Sequence, residues 1–282
     1  MVSFARVVAL LVAGMFVVPL ANAQQVHVLA VGDTSDEGSG ADSIEDLTTV
    51  RRFFATVVDA GIPVDVTEVK GASFSCNNIL SSVSNLKVGR NDAIVFYYSG
   101  HGKRTATTAT KFPEFACDHF SGNTSADLSG IVDRLNAKNP RLTIAIADTC
   151  NSDKRWTRAR APFQEMPLPP NVTLAMRHLF LEYRGTVVLS AAIPGQWAWG
   201  SGAGSYFTRQ LFLQSIPRVI DANDGNIRPR WEAIIVDALR DIEVPSEPTP
   251  PAIQFPQVST WGLAEQWPVT DGMLQPADNS KQ

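Results

Sequence analysis

Two segments of the chain carry most of the information about its structure: Ile94-Val-Phe-Tyr-Tyr-Ser-Gly-His-Gly102 and Leu142-Thr-Ile-Ala-Ile-Ala-Asp-Thr-Cys150. Each begins with a short apolar run rich in β-branched or aromatic residues, which is typical of a buried strand. Each then delivers one reactive side chain, His101 or Cys150, just past the carboxyl end of the strand. Because parallel strands end at the same edge of a sheet, where ligands bind, the sequence predicts an imidazole and a thiol side by side.

This pairing is typical of nucleophilic catalysis. A free thiol is only slightly ionised at neutral pH, so a nucleophilic cysteine needs a neighbouring base, and His101 can act as that base for Cys150. We expect the backbone amides of Gly102 and Cys150 to form the oxyanion hole, because glycine lets an N–H approach a substrate carbonyl closely. A single cysteine after an apolar strand is often inert core, but the two residues at matching strand ends favour the catalytic interpretation.

Strands and helices alternate along the rest of the chain. The predicted helix beginning near Ile44 takes Ser43 as its N-cap, with Asp46 at the third helical position as in a capping box. The alternation predicts an α/β fold in which helices cover both faces of a mostly parallel sheet, a three-layer sandwich. The predicted strands are residues 26–31, 64–69, 93–98, 142–147, 185–192 and 252–261, and the other predicted helices are residues 78–86, 125–137, 206–215 and 231–242.

The two motifs resemble those of caspase-like cysteine peptidases, and those of metacaspases more than those of animal caspases. Tyr98-Ser-Gly-His-Gly102 and Asp148-Thr-Cys-Asn-Ser152 match the family's YSGHG and D-x-C-x-S patterns. The separation of His101 and Cys150 is close to the roughly 50 residues given for caspases. Further similarity in the same order, through residues 26–31, 185–190 and 206–213, extends the resemblance over most of the chain.

The resemblance also implies a specificity pocket. In the metacaspase pattern, the positions that match Asp46, Ser99 and Asp148 line the pocket for the residue before the scissile bond, and animal caspases carry glutamine in place of Asp148. Two carboxylates favour a cationic side chain, so we expect cleavage after arginine or lysine. Alternatively, Asp46 compensates the dipole of a helix first turn, and Asp148 makes a structural hydrogen bond.

Two features depart from the family. Metacaspases often use calcium, which needs several acidic oxygens, whereas Glu114, Asp118 and Asp127 are scattered. We therefore expect neither a cofactor nor a metal site, with calcium activation as the alternative. After the strand at 185–190 the family commonly places an acidic residue, whereas this chain has Pro194-Gly-Gln-Trp-Ala-Trp199, whose tryptophans either form an aromatic wall for substrate side chains or simply pack.

The N-terminus reads as a secretory signal peptide, residues 1–23. Arg6 precedes an apolar stretch that is shorter than the roughly 20 residues needed to span a bilayer, and Ala21-Asn-Ala23 is a small-x-small cleavage site. We expect a periplasmic or secreted protein with no stable membrane insertion, although an uncleaved anchor is the alternative. Residues 24–266 would then form one peptidase domain, with a large part at 24–152, a small part at 185–266 and a polar tail at 267–282.

The charge balance and the cysteines narrow the function further. The chain has 24 basic and 28 acidic residues and no basic stripe, so nucleic acid is not an expected partner. Cys76 and Cys117 lie in polar, loop-like surroundings and form a candidate disulfide, which would leave Cys150 as the free thiol. The alternative is that all three cysteines stay reduced.

A basic, proline-rich segment at 153–184 follows the nucleophile, and we interpret it as a long loop. If the enzyme cleaves after basic residues, Lys154, Arg155, Arg158 and Arg160 are candidate points of self-processing.

The sequence as a whole favours an exported cysteine endopeptidase that acts on peptides or proteins. The competing hypotheses are a non-catalytic module that binds peptide or protein, and a transpeptidase or ligase that uses the same dyad; the oligomeric state is not predicted.

Overall fold

A mostly parallel sheet of six strands lies at the centre of the computed structural model, which describes residues 24–118, 126–152, 165–222, 228–244 and 252–266. The strands, in chain order, are β1 (Val26–Gly32), β2 (Val64–Lys70), β3 (Ala93–Ser99), β4 (Gly102–Lys103), β5 (Glu114–Phe115), β6 (Ala126–Asp127), β7 (Leu142–Asp148), β8 (Tyr183–Ser190), β9 (Ile242–Val244), β10 (Ala252–Gln254) and β11 (Gln257–Glu265). The central sheet has the order β11-β8-β7-β3-β1-β2, and only β11 joins it antiparallel to its neighbour.

Helices cover both faces of this sheet, as predicted. They are α1 (Gly40–Asp59), α2 (Cys76–Asn85), α3 (Leu128–Asn136), α4 (Thr173–Leu181), α5 (Tyr206–Gln210), α6 (Ile216–Asp221) and α7 (Trp231–Ala238), with a π-helical segment, Leu211–Ser215, between α5 and α6. None of the helices within the described ranges is both long enough and apolar enough to cross a membrane.

Alternation along the strands explains why two cores form. Val95 and Tyr97 of β3 point into the core shared with α1, α4, α5 and α7. Ile94, Phe96 and Tyr98 of the same strand point into the core shared with α2 and α3. Every residue of β1, β3 and β7 is buried, as expected for parallel strands covered on both faces. Strand register and the edge that carries the motifs are therefore strongly specified.

The predicted start of the first helix was wrong. Helix α1 begins at Gly40, after Ser39, and neither Ser43 nor Asp46 caps it. The Ser43 hydroxyl instead donates to the backbone oxygen of Ser99 at 3.2 Å, and Asp46 accepts hydrogen bonds from other segments of the chain. Asp46 also lies beyond the first turn, so compensation of the helix dipole does not explain it.

The loop prediction for 153–184 was wrong in part. Residues 153–164, including the candidate cleavage points, lie outside the described residues, as do 1–23 and 267–282. Residues 173–181 form α4, whose Met176, Leu179 and Phe180 are fully buried against the sheet. The proline content of the segment concealed this helical periodicity. The single predicted strand at 252–261 is likewise two strands, β10 and β11.

Candidate active site

The two sequence motifs meet at the carboxyl edge of the sheet. Strands β3 and β7 pair in parallel with Ser99 opposite Asp148, so His101 and Cys150 follow their strands at equivalent positions. Both line one cavity, whose wall consists of Ser39, Asp42, Ser43, Ser99, Gly100, His101, Asp148, Thr149, Cys150, Ala198, Trp199 and Ser205. The structure thus brings together the predicted catalytic pair and two of the three predicted pocket residues, Ser99 and Asp148.

The backbone around His101 is held by neighbouring groups. The Tyr98 hydroxyl and the Ala116 N–H donate to the His101 carbonyl oxygen at 2.8 and 3.0 Å. The Tyr98 ring stacks on Phe115 with their centroids 3.9 Å apart. The Thr149 hydroxyl donates to the Gly100 carbonyl at 2.8 Å, which ties the histidine motif to the cysteine motif. These bonds fix the backbone from which the imidazole projects.

The Cys150 thiol is buried, which favours its protonated form. Cys150 is only 3% exposed to solvent, and its Sγ donates to the Ala198 carbonyl at 3.6 Å. Burial raises the pKa of the thiol to about 12, and the charge of Asp148 adds to the rise. A base is therefore needed to form the thiolate.

The imidazole has a carboxylate beside it. His101 Nε2 lies 3.0 Å from Oδ1 of Asp36, a residue in the loop between β1 and α1. The same oxygen accepts hydrogen bonds from the N–H and the hydroxyl of Ser39 at 2.6 and 3.0 Å. Sequence reasoning missed Asp36 because a polar loop carries no periodicity, but its position after the neighbouring parallel strand β1 places it at the same sheet edge.

Three buried carboxyl groups lie around the cavity. Asp148 Oδ2 accepts from the N–H and the hydroxyl of Thr208, both at 2.7 Å. Burial, followed by the charge of Asp46, raises the pKa of Asp148 well above its ordinary value. Asp42 lines the cavity, and its Oδ1 accepts from the N–H groups of Gly202 and Gly204 at 2.6 and 3.1 Å. Asp42 was also missed, although it lies one helical turn before Asp46.

Asp46 itself lies behind the cavity wall. Its carboxyl group accepts hydrogen bonds from the Ser99 hydroxyl at 2.7 Å, from the Ser205 hydroxyl at 2.6 Å and from the Ser205 N–H at 2.7 Å. Burial raises the pKa of Asp46 to about 6, although these hydrogen bonds act in the opposite direction. Asp46 therefore reaches the cavity through two serine hydroxyls that line it.

The cavity is narrow in this structure, and tryptophan forms part of its wall. Its volume of about 20 Å³ gives room for about one water molecule. Trp199 lines it, and Trp197 packs edge-to-face on Trp199 with their centroids 5.5 Å apart. Both rings also border a neighbouring surface groove with Gln196 and Ile253. The two tryptophans thus pack on each other and also form an aromatic wall.

Gly102 lies against the cysteine motif rather than in the wall of the cavity. Its backbone pairs with Phe115 in β4 and β5. A Cβ at this position would lie 2.2 Å from the Thr149 hydroxyl oxygen and 2.3 Å from the Cys150 carbonyl oxygen. This close approach requires glycine, and it places the backbone of Gly102 next to that of Cys150.

The cysteines are arranged as the sequence suggested. Cys76 and Cys117 form a disulfide with a Cα–Cα distance of 5.0 Å, and Cys150 is free. The bond links the start of α2 to the segment that follows β5. The segment that follows β5 also binds the His101 backbone, so the disulfide stabilises the part of the site that holds His101.

Two of the three acidic residues considered for calcium accept hydrogen bonds within the protein. Glu114 accepts a hydrogen bond from the Thr108 hydroxyl, and Asp127 caps α3 by accepting from the Gly130 N–H at 2.8 Å. Asp118 is close enough for its charge to contribute to the raised pKa of Tyr98. Within the described ranges, no group of three or more histidine, cysteine, aspartate or glutamate side chains is arranged to hold a metal ion.

Comparison with known families agrees with this geometry. The family model described as the peptidase C14 caspase domain matches residues 42–216. This match covers more than half of the chain and includes His101 and Cys150. No curated protein matched the chain. The six-stranded sheet, its flanking helices and the family match together establish that the chain belongs to the caspase-domain family of cysteine peptidases.

Proposed function

We propose that the protein is an exported cysteine endopeptidase that cleaves after arginine or lysine, with Cys150 as nucleophile and His101 as base. The single observation that carries this proposal is the shared cavity, in which both residues lie beside the carboxyl groups of Asp42 and Asp148. Reactive and charge-complementary groups are thus within reach of one bound peptide.

The proposed reaction follows from the protonated state of the thiol. His101 takes the proton from Cys150 Sγ as the sulfur attacks the peptide carbonyl carbon, and the amides of Gly102 and Cys150 stabilise the oxyanion. His101 then gives the proton to the leaving amine, and the C–N bond breaks. A water molecule, deprotonated by His101, attacks the acyl-enzyme carbonyl; the C–S bond breaks, and His101 returns the proton to Cys150 Sγ.

The carboxyl groups support a preference for basic side chains. A guanidinium or ammonium group between Asp42 and Asp148 would stabilise their ionised forms, which burial disfavours in the empty cavity. The cavity must widen to admit such a side chain. The turn that contains the exposed residues Gly202 and Ala203 is suited to this change, because the N–H groups of Gly202 and Gly204 donate to Asp42, and a guanidinium could replace them as donors.

A fluorogenic peptide series tests the proposal. The peptides carry arginine, lysine, aspartate or asparagine before the leaving group and are assayed with and without calcium, using residues 24–282 and the variants Cys150→Ala and His101→Ala. We expect turnover of the arginine and lysine peptides that both variants lose. Preference for aspartate would remove the pocket assignment, and no Cys150-dependent turnover on any peptide would favour a non-catalytic binding module.

Self-processing and export complete the proposal. The segment that begins at residue 165 contacts the domain. The Met166 N–H donates to the Leu213 carbonyl at 2.8 Å, and Oε1 of Glu165 lies 3.5 Å from Nη2 of Arg209. Fragments produced by cleavage at Lys154, Arg155, Arg158 or Arg160 would therefore stay associated. Fragment mapping of the wild type beside Cys150→Ala tests self-cleavage, and identical fragmentation of the two proteins would exclude it.

Export is tested by sequencing the N-terminus of the mature protein, which we expect to begin at Gln24.

A further inference from the structure

Outside the His101–Cys150 pair, the carboxylate of Asp36 contacts the imidazole of His101. The 3.0 Å separation joins two side chains that are 21% and 17% exposed, so solvent screens the interaction only in part. Asp36 Oδ1 is fixed by two bonds from Ser39, and the Asp36 carbonyl accepts from the Gly40 N–H at 2.9 Å. The carboxylate is therefore held in place by its own loop.

The same hydrogen bonds from Ser39 favour the ionised form of the Asp36 carboxyl group. Burial raises the pKa of Asp36, but the hydrogen bonds from Ser39 and the nearby imidazole outweigh burial and leave the pKa below its ordinary value. Asp36 is thus ionised at neutral pH. Gly38 keeps the contact open, because a Cβ there would lie 3.0 Å from Asp36 Oδ1 and 3.8 Å from His101 Nε2.

The contact decides which ring nitrogen can act as the base. An ionised carboxylate accepts hydrogen bonds only, so a neutral imidazole beside it carries its hydrogen on Nε2. The lone pair is then on Nδ1, which becomes the nitrogen able to take a proton from Cys150. When His101 becomes positively charged during the reaction, the same carboxylate stabilises the charge.

We propose that Asp36 is a positioning residue that holds His101 in the Nε2–H tautomer and stabilises its protonated form, so that catalysis uses a Cys150–His101–Asp36 arrangement rather than a pair. This inference rests on the proposed function, in which His101 is the base. Asp36 acts through the imidazole and touches neither substrate nor sulfur in the reaction.

Three variants test the role. Asp36→Asn keeps a hydrogen-bond acceptor but removes the charge, Asp36→Ala removes both, and Glu37→Gln is the matched control, an exposed neighbour with the same charge change. We expect kcat to fall about 10- to 1,000-fold in Asp36→Asn and further in Asp36→Ala, with KM changed by less than about threefold. Glu37→Gln should retain the wild-type kcat. Unchanged kcat in both Asp36 variants would overturn the inference.

A second readout does not depend on peptide turnover. Nitrogen NMR of the labelled protein at pH 8, with the His101 signal assigned through His101→Ala, reports the tautomer directly. We expect the Nε2–H form in the wild type and a mixture of tautomers in Asp36→Ala; an Nδ1–H form in the wild type would overturn the inference. If the wild type has the Nε2–H form but no Cys150-dependent turnover, the positioning of His101 stands and the proposed peptidase function fails.

Discussion

Asp148 and Cys150 line the same cavity, and the charge of Asp148 acts against ionisation of the Cys150 thiol. The carboxyl group proposed to bind a basic substrate side chain therefore also disfavours ionisation of the proposed nucleophile. A bound cation would offset that negative charge, so occupancy of the pocket and formation of the thiolate favour each other. The two roles of Asp148 can be separated by experiment.

We predict opposite effects of Asp148→Asn on thiol reactivity and on substrate turnover. Cys150 should be alkylated by iodoacetamide at least about threefold faster at pH 8, because the thiolate no longer forms beside a carboxyl group that can ionise. The kcat/KM for arginine peptides should fall about 30-fold or more, which corresponds to about 2 kcal/mol for one partner of a buried charge pair. The amide can still accept from Thr208, so the fold should be retained. Slower alkylation in the variant would contradict this account.

A second prediction concerns Asp46 and pH. Its pKa is raised to about 6 in the folded protein, above the ordinary value of about 3.9 in an unfolded chain. The protonated form is therefore favoured by folding, and this contribution to stability is complete below about pH 4 and is lost as the pH rises through about 6. Asp46→Asn, which cannot ionise, should raise Tm relative to the wild type at pH 8 more than at pH 5.

Differential scanning calorimetry at the two pH values measures this effect. Each kcal/mol of added stability should raise Tm by about 2–4 °C in a chain of this size. Glu45→Gln is the matched control, since Glu45 is the exposed neighbour on the same helix, and it should leave the pH dependence of Tm unchanged. An equal change of Tm at both pH values would show that Asp46 does not titrate in this range.

The parts of the site that could be predicted are those that follow directly from strand periodicity. β3 and β7 are buried along their whole length, so their apolar runs located both strand ends and hence His101 and Cys150. Asp36 and Asp42 were not predictable in the same way, because their roles depend on how a polar loop and a helix N-terminus pack against the sheet edge. Ser43 and Asp46 misled the helix prediction for the same reason, since tertiary partners took the groups that a cap would use.

The disulfide prediction can be tested through its contribution to stability. Cys76 and Cys117 are separated by 41 residues in sequence and are both buried. Replacing both by alanine should lower the free energy of unfolding by about 2–4 kcal/mol and Tm by about 5–15 °C. A Cys150→Ala background removes thiol exchange from the measurement. An unchanged Tm would mean that the bond does not brace the folded chain.

The last prediction concerns Gly102 and the backbone of Cys150. Gly102→Ala places a methyl group where the Thr149 hydroxyl oxygen and the Cys150 carbonyl oxygen lie 2.2 and 2.3 Å away. We expect a loss of about 1–3 kcal/mol in stability, which is typical of overpacking, together with loss of turnover, because the strain falls on Cys150. A Gly102→Ala, Thr149→Ala double variant should not regain activity, since the contact with the Cys150 carbonyl remains. Recovery in that double variant would place the clash on the threonine side chain alone and would remove the argument that Gly102 is required for the cysteine backbone.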